Sequence, residues 1–302
     1  LVCAVDTGKE MLQIVCGGSN VRVGMLVAVA KIGARVHWHG EGETVEMKPV
    51  VLRGVESRGM ICASNELGLA DMFPAQGDRE ILDLSHVSGV RPGTPLAEAL
   101  GLDDVIFDID NKSLTNRPDL WGHYGMAREV ATLFDCPLAT YKAGPIRPGK
   151  GRHLKVDVAR AEDCPRYMAV VVEGVTPAPS PSWIQKRLLS VGVRPINALV
   201  DITNYVMLDI GEPMHAFDAA SLADAKGDIH IAVRRARAGE KLRGLDGKDY
   251  TLTSEDILIT DDEKPLAIAG IFGGAESGIS ETTQSIVFEA ANFSATSIRR
   301  TS

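Results

Sequence analysis

Short apolar runs separated by turn residues fill the first third of the chain. Runs such as Leu1–Val5, Met11–Cys16 and Val50–Leu52 are broken by Gly, Asn and Asp, and no helical period of any length interrupts them. Strands that are this short and evenly spaced are typical of a small barrel. We therefore predict that residues 1–91 form an all-β domain of the OB-fold type.

The pattern changes after residue 92. Leu96–Leu100 predicts a short helix and Val105–Ile109 predicts a strand. Residues 120–134 carry apolar side chains at helical spacing, which predicts a longer helix. Two prolines and three glycines in residues 143–151 are typical of a linker. Residues 92–150 are thus predicted to form a small junction between two domains.

Strands and helices mix in the remaining half of the chain. Arg166–Glu173 and Asp256–Thr260 are predicted strands, and Ser182–Val191 is a predicted amphipathic helix. The elements do not alternate in the regular order of a parallel sheet, so the pattern favours an α+β fold. We predict one such domain over residues 151–302.

The run from Val193 to Asp218 combines an apolar helical face with an unusual polar one. Pro195 can occupy the first turn of a helix, and apolar side chains recur at helical spacing after it. The opposite stripe lacks Lys, Glu and Arg and consists of short polar side chains, Asn197, Asp201 and Asn204. Such groups cost free energy unless they are paired. They indicate either the wall of a binding site or a satisfied structural network.

Two titratable residues are candidates for chemistry in this half. His215 follows the polar stripe directly, and imidazole can bind, orient or deprotonate water near neutral pH. A core histidine bonded to the backbone is the alternative. Glu289 ends the strand-like run that begins at Ser285, and it can either cap a helix or accept a hydrogen bond from a ligand at the end of an apolar slot.

Two further motifs restrict the chemistry. Residues 267–274 form an apolar strand that runs into a glycine turn, and no Gly-Lys-Ser/Thr follows, so this is not a phosphate-binding loop. His37 and His39 have the spacing of two imidazoles on one strand face, but no third ligand lies nearby. We expect an exposed loop there and no metal site in the chain.

Composition narrows the function classes. The chain has 302 residues, of which 45% are hydrophobic and 24% charged, and no apolar run is long enough to cross a bilayer. Its net charge of −8 argues against a dedicated nucleic-acid binder, although a few local cations suffice to dock an RNA end. Five cysteines without CxxC spacing indicate free thiols in a reducing cytoplasm, where we expect the protein to be located.

Several blocks of the sequence resemble the β-subunit family of bacterial phenylalanine–tRNA ligases, in the family's order. Leu12–Ala34 and Leu52–Leu69 resemble its tRNA-binding insert, Asn116–Ala131 resembles the following junction, and Val193–Asp218, Ile268–Thr283 and Phe288–Ser302 resemble its editing domain. The resemblance covers nearly the whole chain. It implies a central fragment of a multidomain subunit, in which a truncated, all-β OB-like barrel precedes an α+β editing domain.

The resemblance also assigns residues. It implies a pocket that hydrolyses mischarged Tyr-tRNA(Phe), with Glu289 recognising the tyrosyl hydroxyl. The other assignments are His215 and Asn204 to catalysis, Thr203, Ala269, Gly270 and Arg194 to substrate binding, and Arg22, Arg35, Arg53 and Arg58 to tRNA binding. Because the chain has no evident metal ligands and no nucleophile–base pair, we expect the pocket to activate water by positioning it.

Partners and cofactors follow from the same resemblance. It implies tRNA(Phe) and an α subunit, which together with the β subunit forms a heterotetramer of two α and two β chains. We expect no cofactor in this chain, ATP and Mg²⁺ in the complete enzyme, and no membrane association. Two other classes remain: a structural or tRNA-docking module with an inactive pocket, and a free-standing tRNA-binding chaperone. The intact pair of Glu289 and His215 counts against the first, and residues 193–302 count against the second.

Overall fold

The computed structural model describes residues 1–85, 87, 89–147, 149–261 and 263–302. The chain divides into two compact units, of which unit 1 comprises Leu1–Asp108 with Gln185–Pro195 and unit 2 comprises Ile109–Ile184 with Ile196–Ser302. Pro148 of the predicted linker lies outside the described residues. The domain boundaries predicted at residues 91 and 150 stay a prediction.

Residues 185–190, the larger part of a helix that begins in unit 2, belong to unit 1, whose other elements are short strands and one short helix. They are β1 (Val2–Asp6), β2 (Met11–Val15), β3 (Val29–Ala30), β4 (Arg35–His37), β5 (Thr44–Glu46), β6 (Val50–Leu52), β7 (Val55–Ser57), β8 (Met60–Ile61) and α1 (Leu96–Leu100). The strands pair antiparallel as β1–β2, β3–β8, β4–β5 and β6–β7. In the described part of unit 1 these pairs are not joined into one closed ladder. The predicted strands therefore form, whereas a closed OB-type barrel stays a prediction.

One predicted element of unit 1 is wrong. Residues 105–109 do not form a strand, although their apolar side chains suggested one. Val105 is 73% exposed and Phe107 is 82% exposed. No strand in the described chain pairs with this segment, so its backbone groups have no ladder to join.

Unit 2 contains two sheets and most of the helices. Its elements are α2 (His123–Leu133), β9 (Leu154–Val158), β10 (Arg166–Glu173), α3 (Ser182–Ser190, which continues into unit 1), α4 (Ala198–Ile210), β11 (Met214–Asp218), α5 (Ala219–Leu222), β12 (Ile229–Arg235), β13 (Lys241–Arg243), β14 (Asp249–Thr251), β15 (Ile257–Thr260), β16 (Pro265–Ile268), β17 (Phe272–Gly273), β18 (Ser285–Asn292) and α6 (Ala295–Thr301).

The two sheets of unit 2 differ in strand direction. The three-stranded sheet has the order β10-β18-β11 and is antiparallel throughout. The five-stranded sheet has the order β17-β16-β15-β12-β9, and β12 runs parallel to β9 while its other described pairs are antiparallel. This mixture of helices and mixed sheets agrees with the predicted α+β class.

The core of unit 2 forms where apolar faces of the two sheets meet. Phe217 and Val287 of the three-stranded sheet share one buried cluster with Ile231, Val233 and Ile259 of the five-stranded sheet. Each of these side chains is at most 2% exposed. Burying an aliphatic or aromatic side chain this completely stabilises the fold by roughly 2 kcal/mol. The core thus fixes the two sheets rigidly against each other.

Two helices of unit 2 begin later than predicted. The helix predicted from residue 120 begins at His123, because Gly122 is extended with φ −120° and ψ 150°. A Cβ atom on Gly122 would lie 2.3 Å from the backbone nitrogen of Gly211, so this close approach requires glycine. The second helix, α4, begins at Ala198 with Asn197 as its N-cap, and Pro195 precedes the helix instead of occupying its first turn. Within the described chain no helix is long and apolar enough to cross a membrane.

Candidate functional site

Glu289 lies inside the central strand of the three-stranded sheet. The strand β18 continues past it to Asn292, so the prediction that Glu289 ends the strand is wrong. The helix-cap alternative is also wrong, because the next helix begins at Ala295 and Ser294 caps it. Across the ladders Glu289 faces Ala169 on β10 and His215 on β11. Directly paired residues share one sheet face with Cβ atoms about 5 Å apart, so Glu289 and His215 lie side by side.

A third polar side chain, Tyr167, lies on the same face. Tyr167 is paired with Ala291, two residues from Glu289 along β18, and side chains two apart share a face. Tyr167 Oη, His215 Nε2 and Glu289 Oε2 are buried atoms without a hydrogen-bond partner, and no other side-chain N or O atom in the described chain has this status. Each such atom costs about 1–3 kcal/mol. Three of them on one face indicate a site that is completed by a ligand.

Burial controls the charge of Glu289. The side chain is only 7% exposed, and this burial raises its pKa from the ordinary 4.5 to about 7. The Tyr167 hydroxyl opposes the shift and lowers the pKa, while the negative charge of Glu212 adds to the rise. Tyr167 Oη thus faces the carboxyl, but it lies outside hydrogen-bonding geometry and satisfies neither atom. At neutral pH the carboxyl exists in both protonation states.

His215 is held as a neutral imidazole against two neighbours. Burial lowers its pKa, so the ring carries no charge at pH 7. The ring packs edge-on against Phe217, with centroids 4.6 Å apart. Gly273 of the five-stranded sheet also lies close to the ring, because a Cβ atom added there would lie 2.8 Å from His215 Cε1. Because Nε2 has no partner, it is free to orient a water or a ligand.

Helix α4, which contacts β11, carries the next two predicted site residues. Thr203 is buried, and its hydroxyl donates to the backbone oxygen of Val200 at 2.6 Å. Asn204 is half-buried and belongs to the same turn. The structure therefore places both residues on the helix beside the strand that carries His215.

The other polar residues of this helix form a structural network. The side chain of Asn197 accepts hydrogen bonds from the backbone N–H groups of Leu199 and Val200, each at 3.1 Å. Asp201 is fully buried and accepts a hydrogen bond from the backbone N–H of Ile196 at 2.8 Å and another from the Ser180 hydroxyl. Of the two open interpretations of the polar stripe, the structural one is correct for Asn197 and Asp201.

Ala269 and Gly270 form the turn that follows β16. Ala269 is fully buried among core side chains, and Gly270 has a φ of +66°, which favours glycine. A Cβ atom on Gly270 would lie 3.5 Å from the ring of Phe293. Phe293 lies four residues beyond Glu289, or about 13 Å along an extended chain. The turn thus contacts the segment after β18.

Arg194 belongs to unit 1, whereas Tyr167, His215 and Glu289 belong to unit 2. Its side chain is 78% exposed and forms an ion pair with Asp71, with Nε 3.4 Å from Oδ1. The assignment of Arg194 to substrate binding stays a prediction.

The predicted tRNA-binding cations of unit 1 are partly neutralised. Arg22 pairs with Asp83 at 2.6 Å, Arg58 pairs with Glu56 at 3.3 Å, and Arg35 donates to the backbone oxygen of Thr44 at 2.9 Å. Arg53 lies at the tip of the β6–β7 hairpin, with a φ of +52°. Two of the four cations therefore already have a carboxylate partner.

His37 and His39 do not share a strand face. His37 ends β4 and its Nδ1 lies 2.9 Å from the oxygen of Gly42, whereas His39 lies in a 3₁₀ turn with a φ of +57°. A search of the described residues finds no group of three or more His, Cys, Asp or Glu side chains arranged to hold a metal ion.

Sequence reasoning missed Tyr167 and Gly273. Tyr167 occupies an alternating strand, in which an aromatic residue normally indicates core packing alone. Its hydroxyl becomes informative only when the register places it beside Glu289. Gly273 was seen as part of a turn, and only the packing of the two sheets shows that its missing side chain makes room for His215.

Comparisons with known proteins cover both units. Residues 1–88 match a family described as "Putative tRNA binding domain", and residues 163–302 match one described as "B3/4 domain". The chain is 44% identical over its whole length to the phenylalanine–tRNA ligase β subunit of Trichormus variabilis, and 43% identical to that of Anaeromyxobacter dehalogenans, and it spans 36% of each. A solved N-terminal fragment of the phenylalanyl-tRNA synthetase β subunit from Pyrococcus horikoshii is 19% identical, with a TM-score of 0.38 over 65% of this chain and 60% of that one.

Proposed function

Because the chain belongs to the family of phenylalanine–tRNA ligase β subunits, we propose that unit 2 hydrolyses tyrosine wrongly esterified to tRNA(Phe). The chain spans about a third of the length of these relatives. Amino-acid activation and transfer are therefore proposed for the complete enzyme, in which an α subunit supplies the synthetic site with ATP and Mg²⁺.

The observation that carries this proposal is the cluster of three unpaired polar atoms of Tyr167, His215 and Glu289. Phenylalanine and tyrosine differ by one hydroxyl group. A site built to hydrogen-bond a hydroxyl rejects the analogue that lacks it by ~10⁴–10⁵-fold. Glu289 Oε2 is a buried acceptor without a partner, so a tyrosyl hydroxyl would satisfy it and a phenylalanyl ring would leave it unpaired.

The chemistry proposed for the site is hydrolysis by placement of water. The water oxygen attacks the ester carbonyl carbon, the bond to the ribose oxygen breaks, and that oxygen leaves with a proton. His215 and Asn204 are the groups proposed to orient the water, because the His215 ring is neutral and its Nε2 has no partner. Positioned groups of this kind contribute ~10²–10⁴-fold to a rate. Thr203, Ala269, Gly270 and Arg194 remain proposed binding residues.

The specificity proposal is tested with Glu289→Ala in the complete enzyme. Tyr-tRNA(Phe) should accumulate while charging with phenylalanine stays near normal, because the variant loses the acceptor for the tyrosyl hydroxyl. Glu281→Ala is the matched control, since Glu281 is an exposed glutamate of the same unit. Clearance of tyrosine by Glu289→Ala at the parent rate would show that Glu289 does not recognise the substrate.

The placement proposal is tested by single-turnover deacylation. His215→Ala should slow hydrolysis of Tyr-tRNA(Phe) in the lower part of the ~10²–10⁴-fold range. Replacing the free hydroxyl of the terminal ribose with hydrogen should slow it at least as much, because that hydroxyl also holds the water. Complete loss of activity in His215→Ala, with normal cleavage of the deoxy substrate, would instead establish histidine as a general base.

Unit 1 is proposed to dock tRNA(Phe) through an OB-like barrel. Its affinity should be low, because Arg22 and Arg58 are already paired with carboxylates. Assembly into a heterotetramer with two α subunits belongs to the same proposal, as does a cytoplasmic location, for which the five free cysteines are the supporting observation.

A further inference from the structure

We propose that Tyr167 is a positioning residue for the tyrosyl hydroxyl: it engages one oxygen of the Glu289 carboxyl and leaves the other for the substrate. The inference rests on the editing function proposed above and adds a residue to it. Its basis is the strand register, which places Tyr167 and Glu289 on one face of the β10–β18 ladder, and the absence of a partner for Tyr167 Oη and Glu289 Oε2.

The number of hydrogen bonds that each group can donate or accept supports this arrangement. A carboxylate only accepts hydrogen bonds, and a tyrosine hydroxyl donates one. Two hydroxyl groups, one from Tyr167 and one from the substrate, can therefore occupy the two oxygens of Glu289. In this structure Glu289 Oε2 is unpaired, and the Tyr167 hydroxyl faces the carboxyl without a hydrogen bond, so the proposed pairing requires that this hydroxyl moves into bonding geometry. A phenylalanyl group would leave the site in that same unsatisfied state.

The surroundings of Glu289 single out Tyr167 as the donor. The titratable groups that face the carboxyl or lie near it are Tyr167 from β10, His215 from β11, Glu212 before β11 and Cys164 before β10. Burial, and after it the negative charge of Glu289, raises the pKa of Tyr167, whereas the pKa of His215 is lowered by burial alone. The Tyr167 hydroxyl is thus directed at the carboxyl, and the His215 ring remains available for the ester end of the substrate.

The first test reads the pair directly in this chain, by ¹³C NMR of labelled glutamate and tyrosine. The Glu289 carboxyl resonance is assigned by its loss in Glu289→Gln. In Tyr167→Phe its titration midpoint should rise by on the order of one pH unit, because a hydrogen bond to the charged form is lost. In the parent, the ζ-carbon of Tyr167 should titrate with the same midpoint as Glu289, a readout that does not depend on the folding of any Tyr167 variant.

The second test is deacylation of Tyr-tRNA(Phe) by the complete enzyme. Tyr167→Phe should raise KM roughly tenfold at neutral pH with little change in kcat, because the lost interaction contributes to binding. Tyr250→Phe is the matched control, since the Tyr250 hydroxyl also faces a carboxylate, that of Asp246 at 2.9 Å, outside the site. A purely structural hydroxyl would move neither the Glu289 midpoint nor KM.

The outcomes separate the inference from the function on which it rests. An unchanged Glu289 midpoint in Tyr167→Phe, or a Tyr167 resonance that ignores the titration of Glu289, overturns the pairing. A parent enzyme that leaves Tyr-tRNA(Phe) intact overturns the proposed function instead, and the carbon resonances still decide the pairing. An active parent with an unchanged KM in Tyr167→Phe overturns the positioning role.

Discussion

Glu289→Gln should make the protein more stable at alkaline pH, because the native carboxyl is buried without a full set of partners. Its pKa is raised from 4.5 to about 7, mainly by burial. Between these two values the unfolded chain releases the proton and the folded chain keeps it, so stability falls as pH rises. Below both pKa values the carboxyl is protonated in the folded and in the unfolded chain, and the free-energy penalty vanishes. Above both values the penalty is complete.

The size of this stability difference follows from the difference between the two pKa values of Glu289. At about 1.4 kcal/mol per pH unit, a rise from 4.5 to about 7 corresponds to about 3 kcal/mol. Glutamine cannot ionise and avoids this penalty. Relative to the parent, Glu289→Gln should therefore gain about 2.5 kcal/mol of unfolding free energy between pH 5 and pH 8. The comparison across pH cancels the constant cost of burying an amide.

Urea unfolding followed by circular dichroism at pH 5 and pH 8 measures this gain. Glu281→Gln is the control and should show the same difference from the parent at both pH values, because Glu281 is exposed. If the unfolding free energies of Glu289→Gln and of the parent differed by the same amount at pH 5 and at pH 8, the reasoning would be refuted. That result would mean that Glu289 ionises as readily in the folded chain as in the unfolded one.

Three further predictions concern the surroundings of the site. Gly273→Ala should displace the His215 ring, whose Cε1 would lie 2.8 Å from the new Cβ atom, and slow deacylation at least tenfold. Gly278→Ala should not slow it, because its new Cβ atom would meet a leucine methyl at 3.3 Å and a backbone oxygen at 3.7 Å. Asp201→Ala should lower the unfolding free energy by about 3 kcal/mol, because it leaves the backbone N–H of Ile196 unpaired and opens a buried gap. Urea unfolding measures this loss, and a loss below 1 kcal/mol would contradict the structural network around Asp201. Binding of tRNA by the chain should depend weakly on salt, with a slope equivalent to few phosphate contacts, and a steep slope would contradict the weak docking surface.

Local patterns predicted the individual elements well where a partner exists. Arg166–Glu173 and Leu96–Leu100 form with the bounds that were predicted. Residues 105–109 show the limit, because alternation alone cannot say whether a neighbouring strand is present. Close approach of two backbones was equally invisible, so the extended Gly122 that delays helix α2 could not be foreseen.

The candidate site was predictable in its residue types and not in its register. Glu289 and His215 lie 74 positions apart in sequence, and only the β11–β18 ladder makes them neighbours. The polar stripe of α4 was ambiguous in sequence because the helix cap, Asn197, and the proposed catalytic residue, Asn204, are both asparagines. Hydrogen-bond partners resolved the first of them. Tyr167 could be assigned to the site only from the strand register together with the absence of a hydrogen-bond partner for its hydroxyl.

The most direct test of the account is a crystal structure of the chain with a non-hydrolysable 3′-amide analogue of tyrosyl-adenosine. The account predicts that the phenolic oxygen lies within hydrogen-bond distance of Glu289, with the amide on the side of His215, and that the phenylalanyl analogue binds far more weakly. A tyrosyl ring bound with its hydroxyl away from Glu289, or equal binding of both analogues, would contradict it.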